Sequence, residues 1–344
     1  MDKTLYWFVF FTLAGLVVSL ALNVAWFFRA GWKNPGSRWR RAAQNLALLI
    51  FTGLVTLLLL ELFFKLFFAQ SDGFNYTLAS KNWFEWYWRK NSLDYRDIEW
   101  TPEMVEGRTK VMVLGDSFVA GYGIENEADR FSNLLGQQLG ADYAVMNVGQ
   151  LGASTKDEIE NALQYPYPPD IVILSFYLND IMDTAQDLGF KRPPAQTHGP
   201  FPVDYSYALN FLYWRVYRLG PQEWNNDYWT WLLSLYQKPE VWQLYRQQLL
   251  QIADYVQQRQ GRLIVVVFPN LMAVEESRPV TAQVSRLFAE RGVPVLDVTD
   301  LVARRPAAEL IASPVDSHPN ELVHRLVAER LYPLVLHSQP LSQK

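Results

Sequence analysis

VMVLGDSFV, residues 111–119, is an apolar run that breaks directly into glycine, an acid and a hydroxyl. An apolar run without polar alternation reads as a strand covered on both faces, here followed at once by a turn and a helix start. Four later runs repeat the pattern: YAVMNV (143–148), IVILSF (171–176), RLIVVVF (262–268) and VPVLDV (293–298). Residues near 128–139, 155–164, 240–259 and 280–291 show helical spacing, and a last helix of about 320–336 opens after His318-Pro319-Asn320. Alternation of this kind predicts an α/β fold with a five-stranded, doubly wound parallel sheet. Ligands of such sheets bind beyond the carboxyl ends of the strands, so the residues just after each run are where chemistry belongs.

Those ends carry Gly115-Asp116-Ser117, then Asn147 to Gly152, then Asn179-Asp180, with Asp316-Ser317-His318-Pro319-Asn320 before the final helix. A serine hydroxyl is a weak nucleophile until a neighbouring base takes its proton. Ser117 follows a strand directly and begins a helix, where free backbone N–H groups favour negative charge. Of the four histidines (His198, His318, His324 and His337), only His318 lies in a loop next to an acid and a helix start. Asp316 is placed to hold that imidazole in one tautomer. The N–H of Ser117, the N–H of Gly152 and the amide of Asn179 are three donors for an oxyanion. Plainer readings exist for each. Ser117 could be a helix cap, and Asn179 a turn residue with Asp180 supporting it or capping a helix. His324 and His337 read as structural, and His198, in KRPPAQTHGPFP (191–202), as a surface residue. Asp297 and Asp300 read as caps of a short helix.

GDS at 115–117, NVGQLG at 147–152, ND at 179–180 and DSHPN at 316–320 resemble, in order, the four blocks of the SGNH/GDSL hydrolase superfamily. The resemblance covers roughly residues 108–336 and implies a flavodoxin-like three-layer α/β/α fold with ester chemistry that needs no metal or other cofactor. It implies Ser117 as nucleophile, Gly152 and Asn179 as oxyanion donors with Ser117, and His318 with Asp316 as the rest of the triad. Asp116, Asp180 and Tyr177 are supporting residues. Tyr177 stands where the family usually has glycine, which would reshape the acyl pocket. The fourth block is often Asp-x-x-His, whereas one residue separates Asp316 from His318 here, which puts Asp316 in question. The chain also lacks the GxSxG elbow of the α/β-hydrolases proper.

Composition narrows the rest. With no cysteine, disulfides, thiolate zinc sites and cysteine nucleophiles are excluded. A net charge of -4 gives no basic footprint for nucleic acid.

Leu5–Phe28 carries no charge, and Asn45–Phe68 carries only Glu61 and Lys65. Each is long enough to cross a hydrocarbon core of roughly 30 Å as a helix. The first run is too long for a cleaved signal peptide and lacks a small-x-small site; buried core helices rarely stay uncharged over such lengths. Glu61 and Lys65, four residues apart, are expected to pair or to snorkel toward the interface. The intervening loop holds Arg29, Lys33, Arg38, Arg40 and Arg41 without an acid, which places it in the cytoplasm. Both termini and everything after residue 70 then face the extracytoplasmic or periplasmic side. The expected organisation is a transmembrane anchor over 1–70, an aromatic-rich connector over 71–108 and a hydrolase-like domain over 109–344. The connector either lies on the outer leaflet or covers the domain that follows.

An insert of about 183–240 holds Tyr205, Tyr207, Phe211, Tyr213, Trp214, Tyr217, Trp224, Tyr228, Trp229 and Trp231. These aromatics suit a sugar platform, a lid, a membrane-facing patch, or simple packing of extra helices. No pattern identifies the substrate. Anchoring outside the cytoplasmic membrane fits an esterase acting on O-acyl esters of a cell-envelope glycan or lipid. An O-acyltransferase of a surface polysaccharide, working with a membrane acyltransferase partner, is the alternative. A non-catalytic glycan-binding or scaffolding module is the alternative of another class.

Overall fold

β1 (Thr109–Gly115), β2 (Tyr143–Gly149), β3 (Ile171–Phe176), β4 (Arg262–Val267) and β5 (Val295–Asp297) form one sheet in the order β2-β1-β3-β4-β5, with every pair parallel. This is the flavodoxin-like order. The computed structural model describes residues 3–32, 38–194, 198–217 and 223–337. They fall into two compact units, one of Met1–Gln70, Asn75–Trp83 and Gln196–Pro221, the other of Ser71–Phe74, Phe84–Ala195 and Gln222–Lys344.

The sheet belongs to the second unit. β3 is buried along its whole length and β4 from its second residue on, as expected of strands covered on both faces. Helices Phe131–Leu139 and Glu321–His337 pack on each other, as do Thr155–Gln164 and Pro239–Gln258. Right-handed crossovers from β1 to β2 and from β2 to β3 run in opposite directions, which puts these two pairs on opposite faces. The register Gly115↔Gly149 and Leu114↔Leu174 brings the ends of β1, β2 and β3 to one edge. Two local differences from the sequence expectation stand out. The helix expected over 280–291 begins at Val274 and runs through Pro279, forgoing one backbone hydrogen bond. The expected loop around His318 is strand β7 (Asp316–Pro319), paired antiparallel with β6 (Ile311–Ser313).

The first unit contains helices Lys3–Trp32 and Arg38–Phe67, both long and apolar enough to cross a membrane. Apolar side chains such as Phe8, Leu22 and Phe67 are more than two-thirds exposed on them, unlike those of core helices. Glu61 and Lys65 do not pair with each other, a correction to the sequence expectation. The Glu61 carboxylate accepts from Tyr6 Oη (2.7 Å), Ser206 Oγ (2.7 Å) and the N–H groups of Tyr207 and Ala208 (2.9 Å each). A carboxylate among apolar side chains needs donors, and the free N–H groups at the start of helix Tyr207–Tyr217 supply them. Lys65 donates to Tyr207 Oη at 2.9 Å. Asn82 Nδ2 donates to the carbonyls of Phe64, Lys65 and Phe68, closing the end of the Arg38–Phe67 helix. The segment 201–209 and both apolar helices together wall an apolar cavity of about 710 Å³. Lys33 and the side chain of Trp224, both singled out in the sequence, lie outside the described residues, as does 195–197 of the proline-rich loop.

Candidate active site

β1 runs into Asp116, whose carboxylate Oδ1 accepts the Phe118 N–H at 2.9 Å and so caps the short helix Ser117–Ala120. That helix lies hard against the end of β2. A Cβ on Gly149 would sit 2.3 Å from the Ala120 nitrogen and 2.7 Å from the Val119 carbonyl carbon, so only glycine fits there. Asn147 fastens the same helix: its Nδ2 donates to Val119 O (2.8 Å) and Ser132 Oγ (2.7 Å), and its Oδ1 accepts from Gly149 N (3.1 Å). Two fully buried guanidinium groups hold the far end. Arg96 donates to Gly121 O (2.7 Å) and Ile124 O (2.8 Å), and Arg130 to Ala120 O (3.3 Å).

On this platform Ser117 Oγ lies 2.8 Å from His318 Nε2, and His318 Nδ1 lies 2.6 Å from Asp316 Oδ1. The one-residue spacing between Asp316 and His318 works because both sit on β7, where residues two apart share a face. Asp316 Oδ1 also accepts the backbone N–H of His318 at 3.1 Å. Burial alone would raise the Asp316 pKa. The charge and hydrogen bonds of His318, with help from the Ser71 hydroxyl, outweigh it and hold the carboxyl below the usual carboxylate range. The imidazole rests between the rings of Tyr122 (4.7 Å) and Phe118 (5.3 Å).

The other sequence-selected residues lie in the turns that follow β2 and β3. Gly152 lies in the exposed turn after β2, at φ +69°, a conformation that favours glycine. Asn179 is half-buried in the 3₁₀ turn Leu178–Ile181 after β3, which Asp180 closes by accepting the Tyr177 N–H at 2.9 Å. Tyr177 is buried and stacks on Phe118 at 3.9 Å between ring centroids. His198 is exposed beside Asp204 and His337 is exposed at the end of the last helix. His324 is buried, accepts the Phe131 N–H at 3.1 Å, and has its pKa driven down to about 3 by burial and by Arg130. Asp297 caps Thr299 (2.9 Å), whereas Asp300 pairs with Arg278 (2.8 Å).

Sequence reading missed Glu158, which is buried and feels the charges of the likewise buried Asp180 and Asp116. Burial pushes all three carboxyls up; repulsion from Asp180 and Asp116 adds to this at Glu158, and repulsion from Asp116 adds to it at Asp180. Neither oxygen of Glu158 has a hydrogen-bond partner among the described residues. Its raised folded pKa means that the acid stays protonated while the unfolded chain ionises above about pH 4.3. The resulting penalty is absent below that pH and grows as pH rises toward the folded pKa. Glu158→Gln is therefore expected to add about 1–3 kcal/mol near pH 7.5 and much less near pH 4. Thermal midpoints at the two pH values measure this; an equal change at both would contradict it.

A parallel sheet in 2-1-3-4-5 order with a hydrogen-bonded serine, histidine and aspartate at its carboxyl edge defines an α/β hydrolytic enzyme of the serine type. Residues 113–326, more than half of the chain, match the model of the GDSL-like lipase/acylhydrolase family. The chain belongs to that family and is an enzyme of the GDSL serine esterase type. Similar solved structures include a lipolytic protein of the G-D-S-L family from Veillonella parvula, 15% identical over 66% of this chain and 98% of that one, with TM-score 0.41. A carbohydrate acetylesterase family member from Sinorhizobium meliloti is 16% identical (66% and 97% covered, TM-score 0.39). A lipase/acylhydrolase from Enterococcus faecalis is also 16% identical (68% and 99% covered, TM-score 0.42). No curated protein matches the sequence.

Proposed function

We propose that the chain is a membrane-anchored serine esterase that cleaves O-acyl esters of a cell-envelope glycan or lipid through an acyl-enzyme on Ser117. The observation that carries this reading is the continuous chain from Ser117 Oγ through His318 to Asp316, at 2.8 and 2.6 Å. Ser117 Oγ attacks the ester carbonyl carbon as its proton passes to His318 Nε2. The Ser117 N–H, the Gly152 N–H and the Asn179 amide receive the oxyanion, and Asp316 stabilises the imidazolium. Collapse breaks the bond to the alcohol, which leaves with the proton from His318. Water, deprotonated by His318, then attacks the acyl-serine, releases the acid and restores the hydroxyl.

The two apolar helices and the basic residues between them support an anchor over 1–70 with its loop in the cytoplasm. The connector 71–108 and the domain 109–344, with its aromatic insert of about 183–240, then lie on the extracytoplasmic side, within reach of envelope esters. A fluorophosphonate probe applied to the full chain in detergent should label the wild type and leave Ser117→Ala unlabelled, with hydrolysis of 4-nitrophenyl acetate following the same pattern. A folded wild type that neither labels nor hydrolyses would refute the reading.

A further inference from the structure

Ser71, Asp72 and Gly73 come just after the second apolar helix in the chain, and this segment packs against Asp316. Ser71 is 4% exposed and Asp72 3%. Gly73 has φ +79°, and a Cβ there would stand 3.3 Å from Asp316 Oδ1 and 3.8 Å from its Cα. The backbone of this segment thus covers the aspartate. Gly123, at φ +88°, faces the same spot: a Cβ on it would lie 3.1 Å from Asp316 Oδ2 and 3.5 Å from Ser71 Oγ. The second carboxylate oxygen and the Ser71 hydroxyl therefore open onto one small space. Asp72 extends the contact, since its Oδ1 accepts the Phe74 N–H (2.9 Å) and Tyr122 Oη (3.4 Å), and the Tyr122 ring lies against His318.

Asp316 is 1% exposed, and its two oxygens differ. Oδ1 accepts both the ring and the backbone N–H of His318, while Oδ2 has no hydrogen-bond partner among the described residues. A buried carboxylate oxygen without a donor is costly, and the Ser71 hydroxyl is a donor beside it that already favours the ionised acid. We propose that Ser71 is a positioning residue of the active site, turning its hydroxyl to donate to Asp316 Oδ2 while Ser71–Gly73 keeps water from the aspartate. This rests on the reading of Ser117, His318 and Asp316 as a triad. Anchored through Oδ2, the carboxylate cannot rotate, and Oδ1 stays aimed at Nδ1. The stretch of chain leaving the second apolar helix would then be part of the catalytic machinery and not only a tether.

The test compares the full chain in detergent with Ser71→Ala, Ser71→Thr and Ser117→Ala, using 4-nitrophenyl acetate from about pH 5 to 9 and the rate of fluorophosphonate labelling. Ser71→Ala is expected to lower kcat about tenfold, the loss of one hydrogen bond to a charged group, with KM unchanged. Its acid limb should move to higher pH, because a carboxylate that has lost a donor holds the proton on His318 more firmly. Asp72, Asp116, Tyr122 and His324 are the other titratable groups facing the pair, with Arg130 and Arg96 behind His324, and the substitution leaves all of them in place. Ser71→Thr, which keeps the hydroxyl, should restore both rate and limb. Should Ser71→Ala fold poorly, Ser71→Cys, of similar shape but a weak donor, carries the same expectation. Wild-type kcat and an unmoved limb in a folded Ser71→Ala or Ser71→Cys would overturn the proposal while leaving the triad standing. A wild type labelled no better than Ser117→Ala would overturn the triad, and Ser71's role with it.

Discussion

Replacing Ser117 with alanine is expected to lower kcat for an acyl ester by about six powers of ten, about 8 kcal/mol of barrier. The size follows from the role: without Oγ no acyl-enzyme forms, and the oxyanion donors alone can only assist direct attack by water. His318→Ala should cost nearly as much, because Nε2 at 2.8 Å is the group placed to take the serine proton. The two changes together should cost little more than either alone, since residues that act as a unit are strongly non-additive. Asp316→Ala should be milder, about 10⁴, as it removes orientation and charge but leaves the base. Folding should survive the serine change, for it deletes one oxygen from a helix still capped by Asp116 and held by Asn147, Arg96 and Arg130. Circular dichroism and the thermal midpoint check that point. Turnover retained in a well-folded Ser117→Ala would sink the mechanism, and additive losses in the double variant would show that the 2.8 Å contact is not used.

The sheet was legible because parallel strands buried on both faces leave unbroken apolar runs, and each of the five runs contains or overlaps a strand. Placement of the polar blocks followed from the topology alone: three of them end adjacent strands. What escaped notice depends on contacts between segments far apart in sequence. Asn147 was quoted as part of a block, but its three side-chain hydrogen bonds to Val119, Ser132 and Gly149 show only once β2 and helix Ser117–Ala120 are side by side. Arg96 sits in a stretch that reads as connector, yet its guanidinium carries the carbonyls of Gly121 and Ile124. Ser71 and Glu158 carry no local signal, since a serine after a helix and a glutamate within one are ordinary. The single residue between Asp316 and His318 departs from the Asp-x-x-His spacing, and strand β7 is what suits it. Glu61 was read against Lys65 because residues four apart on a helix are neighbours. The donors it takes come from helix Tyr207–Tyr217, about 145 residues away, a distance in sequence at which helical periodicity says nothing.

Asn179→Ala is expected to lower kcat by about 10²–10³, or about 2.7–4 kcal/mol, with KM little changed. The amide stands in the turn after β3, whose shape is set by other groups. Asp180 accepts the Tyr177 N–H, Tyr236 Oη donates to Leu178 O at 2.8 Å, and Tyr177 stacks on Phe118. Truncating Asn179 leaves all three intact, so the turn should hold and the loss should fall on the transition state. Its Oδ1 is buried without a partner among the described residues, so no hydrogen bond to that oxygen has to break for the amide to rotate Nδ2 toward an oxyanion. Asn179→Asp sharpens the test, as it keeps the volume but puts an acceptor, and at neutral pH a negative charge, where the oxyanion develops. If Asn179 donates in the transition state, aspartate must be worse than alanine, and the deficit must shrink toward acid pH as the carboxyl takes up a proton. If Asn179 only shapes the turn, aspartate, which closes such turns as well as asparagine does, should retain more activity than alanine. The order of the two variants, read from kcat at a single neutral pH, separates a catalytic donor from a turn residue.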